Sequence, residues 1–257
     1  KNLCKNCEWL EGIYFCNMNI SNITFDDTTN NIEGMFEGCS NLEFIYLDRM
    51  YHGYGSAGRN KFNWLIDHIR TQCINLKELH LDNLTGQPLS TCKSLFKDFT
   101  KLEKIYLEKF DLGEVDDISE MFMNCYNLKT IDLSDFNQRY ADVYHMDSMF
   151  ENCSSLETLN VNVLKTNSLR TANNMFKGCS LLASIDMTNW DISNVTNRTD
   201  MFTNCNSLTN LNMTNVKLGS NLSGLFYGAN NLIAINGLDS VTFKEGTCVT
   251  NTSNMFY

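Results

Sequence analysis

Cysteine and histidine are the side chains best able to ligate a metal or attack a substrate, and this 257-residue chain holds 11 of the first and 4 of the second. Cys4-x-x-Cys7 has the spacing of half a tetrahedral zinc site, but no second Cys or His pair stands at ligand spacing to complete it. His52, His68, His80 and His145 are scattered, without the His-Glu-x-x-His pattern that puts two ligands on one helix face. Gly53, Gly55 and Gly58 are spaced as in a phosphate loop, yet the Lys-[Ser/Thr] that holds phosphate and magnesium is missing, so the segment reads as a loop insertion. Asn-x-Ser/Thr triplets at Asn22, Asn83, Asn194 and Asn212 follow from an abundance of Asn, which here reads as a turn residue. No nucleophile with its base and no metal cluster emerges, so the expectation is a non-enzymatic chain with no catalytic residue, no metal and no cofactor.

Charge narrows the partners. Lys+Arg is 20 against Asp+Glu 30, a net charge of −10, which argues against phosphate-tracking binding of nucleic acid and against anionic lipid. No apolar run approaches the ~20 residues of a membrane span, so direct membrane insertion is not expected. The composition, 43% hydrophobic and 19% charged, is that of a folded chain. One proline and no Gly/Ser-rich stretch leave nowhere to cut it, so residues 1–257 read as a single continuous domain. Lys1 is not an initiator Met, and both ends read as cut mid-unit, as in a fragment of a longer protein.

Whatever positions these side chains is repetitive. Met121-Phe122-Met123-Asn124-Cys125 leads to Leu128, Ile131 and Leu133; Met149-Phe150-Glu151-Asn152-Cys153 leads to Leu156, Leu159 and Val161. Met175-Phe176-Lys177-Gly178-Cys179 and Met201-Phe202-Thr203-Asn204-Cys205 do the same. With degenerate copies, the cysteine slot falls at 7, 39, 73, 99, 125, 153, 179, 205 and 229, about nine units at steps of 24 to 34 residues.

Inside a unit, the alternation at Ile131 and Leu133 reads as a short strand. Val143, Met146, Met149, Phe150 and Cys153, at three- and four-residue steps, read as a short helical stripe. Such a unit cannot bury its stripe alone. The expected fold is therefore α/β: a leucine-rich-repeat solenoid with one parallel β-sheet on the concave face and short helices on the convex face.

Seven of the cysteines share the slot that Phe99 and Ala229 also fill, which makes it a buried apolar position. Disulfides between successive slots are disfavoured, because helical elements pack ~8–10 Å apart and a disulfide needs Cα atoms within roughly 7 Å. Cys16, Cys92 and Cys248 lie off the slot, and the sequence offers no account of them beyond packing.

The run Ile185-Asp186-Met187-Thr188-Asn189-Trp190-Asp191-Ile192-Ser193-Asn194-Val195-Thr196-Asn197, entering Met201-Phe202, resembles the unit of BspA-like leucine-rich-repeat surface proteins. The likeness extends over nearly the whole chain and is least regular from Cys7 to Phe99. It implies display outside the cell, extracellular or on its surface, and adhesion to host proteins or other cells. No catalytic residue is implied.

The outward strand positions form columns. The central one runs Tyr14, Tyr46, His80 and Tyr106, then Asp132, Asn160, Asp186, Asn212 and Asn236. The N-terminal half is thus aromatic and acidic, while the C-terminal half is short and polar. Exposed tyrosine supplies rigid contact area with a polar tip, as docking surfaces do. The expected partner-binding patch is Phe44, Tyr46, His80 and Tyr106, rimmed by Asp48, Asp82 and Glu108, with Tyr51, His52 and Tyr54 overhanging it from the insertion Tyr51–Lys61. The expected function is recognition of a protein or glycan ligand through the concave face. The competing expectation is a structural or self-assembling surface component that self-associates through uncapped ends.

Overall fold

The computed structural model describes residues 4–17, 35–51, 55–84, 89, 91–110, 112, 115–134, 136, 142–196, 198–246 and 248–256, with backbone alone at 55–61. Each Leu-x-x-Ile-x-Leu run contributes a strand. The first six are β1 (Gly12–Cys16), β2 (Phe44–Asp48), β3 (Glu78–His80), β4 (Lys104–Tyr106), β5 (Thr130–Ile131) and β6 (Thr158–Leu159). They pair in chain order, all parallel, as a six-stranded sheet. Register aligns Ile13, Ile45, Leu79, Ile105, Ile131 and Leu159, so one face of every strand is apolar and points inward.

Six more short strands follow: β7 (Ser184–Asp186), β8 (Asp191–Ile192), β9 (Asn210–Asn212), β10 (Lys217–Leu218), β11 (Ala234–Asn236) and β12 (Thr242–Phe243). They form two parallel three-stranded sheets, β7-β9-β11 and β8-β10-β12. The expected single sheet is therefore interrupted between β6 and β7. The break coincides with Trp190, the largest occupant of a buried slot held elsewhere by Phe110, Phe136, Leu164 and Val216. Its indole N–H donates to the Val161 carbonyl at 3.1 Å, a carbonyl that also accepts the Leu164 N–H.

The expected short helices are a second correction, since among the described residues the repeated segments are turns. Two residues of each such turn have positive φ, as at Glu120 (59°) and Asn124 (63°), and at Ser148 (53°) and Asn152 (62°). Each left-handed residue breaks the run of right-handed dihedrals that a helix requires. Alternate backbone N–H groups consequently bond to the next repeat, Phe122 to the Met149 carbonyl at 2.9 Å, Phe150 to Met175 at 2.9 Å and Phe176 to Met201 at 3.0 Å, while those between close three-residue turns, as Met123 does onto Glu120 at 3.1 Å. The [Asn/Gly] position of the repeat is that left-handed residue. At Gly178 a Cβ would lie 2.6 Å from Asn152 Oδ1, so a side chain there would displace the Asn152 amide.

One α-helix is present among the described residues, α1 (Gly55–Gln72), and it takes up much of what was expected to be a loop insertion. Phe62, Leu65, Ile66 and Ile69 are fully buried at i, i+3, i+4 and i+7, and that stripe holds the helix on the core.

Inside, the repeated phenylalanines stack as a ladder. Ring centroids are 5.4 Å apart for Phe96–Phe122, 5.5 Å for Phe122–Phe150, 5.9 Å for Phe150–Phe176, 5.8 Å for Phe176–Phe202, 6.4 Å for Phe202–Phe226 and 5.0 Å for Phe226–Phe256. From Cys39 to Cys205 the cysteine slot is buried, with Cys7 and Ala229 half-buried at the ends, and it is also polar. Cys125 donates its thiol to the Phe96 carbonyl at 3.1 Å, Cys153 to Phe122 at 3.1 Å, Cys179 to Phe150 at 3.1 Å and Cys205 to Phe176 at 3.0 Å. Burial pushes the Cys125 and Cys205 thiols up to about 12, so they remain protonated donors and poor nucleophiles at neutral pH.

Candidate functional site

The sheet from β1 to β4 places one outward residue from each strand directly over the next. Register pairs Tyr14 with Tyr46, Tyr46 with His80, and His80 with Tyr106. Their rings form a continuous four-membered stack. Centroid separations and interplanar angles are 4.4 Å and 17° for Tyr14–Tyr46, 3.7 Å and 17° for Tyr46–His80, and 3.9 Å and 11° for His80–Tyr106. Phe44 lies 6.5 Å from Tyr46, edge-on, and 6.4 Å from Tyr14. Gly12 makes room for it, since a Cβ there would fall 1.7 Å from the Phe44 ring.

The stack is closed in the middle and open at its ends. Tyr14 is 64% exposed and Tyr106 39%, whereas Tyr46 and His80 are half-buried. Ring faces are therefore consumed by neighbouring rings, and solvent meets ring edges, hydroxyls and the two outer faces. Burial is the first cause raising the Tyr46 phenol above its ordinary range, with the Tyr14 and Glu78 charges adding to it. His80 sits between Glu78 Oε2 at 3.7 Å and Asp82 Oδ2 at 3.6 Å, contacts too long for good hydrogen bonds, and its Nε2 has no hydrogen-bond partner. Burial outweighs those carboxylates and lowers its pKa, leaving a neutral imidazole at neutral pH.

Each carboxylate around the stack already has a partner within the chain. Glu78 accepts from Lys104 Nζ at 2.9 Å, which holds its carboxyl below the usual range. Asp48 pairs with Arg49 at 2.8 Å and Glu108 with Lys109 at 3.2 Å, while Asp82 Oδ1 accepts the Glu108 backbone N–H at 3.1 Å. Phe44, Tyr46, Asp48, His80, Asp82, Tyr106 and Glu108 thus lie along one face. Tyr51 is half-buried in a bridge beyond β2, and His52 and Tyr54 lie outside the described residues.

Two groups lie outside the expected patch. Tyr14 belongs to the same column and forms one end of the stack, a placement its position in the alternation already indicated. Trp9, 92% exposed, borders a cleft of about 590 Å³ lined by Glu11, Glu43, Lys77, Lys101 and Glu103. It fills a variable position of the Cys-x-x-Leu run, held by Asn41, Asn75 and Asn127 in other copies, so the apolar period did not mark it.

Beyond β4 the central column changes role. Asp132 Oδ1 accepts the Ser134 N–H at 2.8 Å, Asn160 Oδ1 the Asn162 N–H at 3.2 Å, Asp186 Oδ1 the Thr188 N–H at 3.0 Å and Asn212 Oδ1 the Thr214 N–H at 3.0 Å. These are Asx turns that close the strand end locally. The Ser134 bonds hold the Asp132 carboxyl below its ordinary value.

Parallel short strands in chain order, a buried template repeated in register and a solvent-facing column of side chains define a leucine-rich-repeat protein. Residues 90–215 and 132–237 match the family described as "Mycoplasma protein of unknown function, DUF285", and residues 2–63 match the "BspA type Leucine rich repeat region (6 copies)". The chain belongs to this BspA-like leucine-rich-repeat family. No curated protein matches it. Among the described residues no helix is long and apolar enough to cross a membrane.

Proposed function

We propose that residues 1–257 form one continuous leucine-rich-repeat solenoid of about nine units, displayed at a cell surface, that recognises a protein or glycan partner through the concave face carrying Tyr14, Tyr46, His80 and Tyr106. The observation that carries this reading is the four-ring stack itself, which keeps large side chains rigid and half-exposed on a surface where solvation alone asks only for short polar groups. Because ring faces are occupied, a flat sugar has only the outer faces of Tyr14 and Tyr106 to stack on. A protein partner can use the whole row of hydroxyls and ring edges, which favours the protein.

The test is binding of the purified chain to a glycan array and to a panel of purified extracellular proteins, beside a Tyr46→Ser/Tyr106→Ser variant. The reading expects a ligand whose affinity falls at least about tenfold in the variant, ~1.4 kcal/mol, while the variant stays folded at the assay temperature. Unchanged affinity, or no ligand on either panel, overturns it.

A second reading, end-to-end association of copies, is favoured by the exposed apolar group around Ile233 (83% exposed) and Phe256 (67%). Light scattering after size exclusion separates the two, since an associating chain grows in mass with concentration and one that only binds a different partner does not.

A further inference from the structure

Turn segments of adjacent repeats are normally laced together by backbone bonds at every second residue. From Ile118, Glu120, Phe122 and Asn124 these run to the carbonyls of His145, Asp147, Met149 and Glu151 at 3.0, 2.8, 2.9 and 2.8 Å. Met146, Ser148, Phe150 and Asn152 repeat the pattern onto Thr171, Asn173, Met175 and Lys177. Leu222, Gly224 and Phe226 resume it onto Asn251, Ser253 and Met255. Between 198–204 and 221–227 no such backbone bond is present among the described residues. The neighbouring strands stay paired there, β9 with β11 and β10 with β12. This seam is also where the phenylalanine ladder is widest, 6.4 Å at Phe202–Phe226.

Arg198 stands at the seam, in a slot that other units fill with the buried apolar residues Ile118, Met146, Ala172 and Leu222. Its residue exposure is 3%, and among the described residues no carboxylate lies within ion-pair distance of it. The guanidinium donates to the Ile192 carbonyl at 3.4 Å and to the Asn221 carbonyl, which takes two of its five N–H groups. Burial lowers its pKa and no acidic neighbour offsets the effect. A buried cation without a counter-charge is costly, and an anion brought to it relieves that cost.

The space for one is present. A cleft of about 430 Å³ opens over Arg198, lined by Thr196, Thr199, Ser223, Asn221 and Asn254, with Asp200 at its edge. The Thr203 hydroxyl stands 3.4 Å from the Asp200 carboxylate and 3.2 Å from the Tyr227 carbonyl, with one proton to share between them. The Asp200 backbone N–H has no backbone acceptor among the described residues, whereas its counterparts at Glu120 and Ser148 bond the next repeat. The Ser223 hydroxyl donates to the Ser253 carbonyl at 2.9 Å and the Thr196 hydroxyl to the Arg170 carbonyl at 3.5 Å, so the donors the cleft offers an anion are the remaining guanidinium N–H groups and the Asp200 backbone N–H.

We propose that this seam binds a tetrahedral oxyanion, phosphate or sulfate, as the free ion or as an ester on a sugar. The site is independent of the aromatic face. The experiment is thermal unfolding of the chain in inorganic phosphate or sulfate against chloride at equal ionic strength, with Arg198→Met as the variant. The wild type is expected to gain a saturable rise in melting temperature. Arg198→Met, which restores the apolar filling of the slot, is expected to lose the dependence and to melt higher than wild type without the anion. No rise above chloride in the wild type, or an equal rise in the variant, overturns the proposal. Should the variant fail to fold, calorimetric titration of the wild type with phosphate decides: saturable heat supports the site and its absence overturns it. Parallel titrations with a sugar phosphate and a sugar sulfate identify the source, because tighter binding of the ester than of the inorganic ion assigns a glycan-borne group and equal or weaker binding assigns the free ion.

Discussion

The two halves of the outward sheet surface share a backbone and differ in how their central column is satisfied. From β1 to β4 the column residue reaches sideways and stacks on its neighbours. From Asp132 onward it folds back and caps its own strand end. A column of Asx turns is finished locally and asks nothing of a partner. A column of stacked rings is tied across strands yet leaves edges, hydroxyls and two end faces in water. The scaffold therefore tolerates either solution, and the aromatic one exceeds what folding needs.

If the halves differ only on the surface, their cores should be interchangeable. Phe96→Ala and Phe176→Ala, one under each half, are each expected to cost about 3–5 kcal/mol in denaturant unfolding. A large inequality between them would break the comparison. A smaller effect sharpens it: Asp186→Ala removes the acceptor for the Thr188 N–H and should destabilise by about 0.5–1.5 kcal/mol without affecting ligand binding. Tyr46→Ala removes two stacking contacts, each worth roughly 0.5–1.5 kcal/mol beyond burial, and should lower ligand affinity as well.

The smallest effect is in pH. Burial holds His80 below its ordinary value, so the unfolded chain binds this proton more readily than the folded one. The stability that neutral His80 confers is complete above the unfolded pKa and declines as pH falls through that value toward the lowered folded one. Melting temperature measured from about pH 7.5 to 5.5 should therefore fall further in wild type than in His80→Phe, which keeps the ring and removes the titration. Equal slopes would remove His80 from the account.

Much of the scaffold is visible in the residues themselves, because a buried slot at regular steps admits only a few side chains. The strands follow from alternation at Ile131 and Leu133, and the [Asn/Gly] before each cysteine holds the clue to the turns. That clue was outweighed by apolar steps of three and four, which turns with left-handed residues share with helices. The only mark of the break between β6 and β7 is Trp190 in a slot held elsewhere by Phe, Leu or Val, an apolar-for-apolar change that leaves the period of the repeat intact. Of the site, the column was legible by counting along the strands. The stacking distances, the Glu78–Lys104 pair and the seam at Arg198 depend on neighbours 23 to 34 residues away, beyond the reach of any local pattern.

Amide hydrogen exchange of the chain alone and with its bound ligand tests the central claim most directly. The account predicts new protection at Gly12–Cys16, Phe44–Asp48, Glu78–His80 and Lys104–Tyr106, with exchange at Thr130–Ile131, Ser184–Asp186 and Asn210–Asn212 unchanged. Protection centred on the later strands, with the first four unaffected, would contradict it.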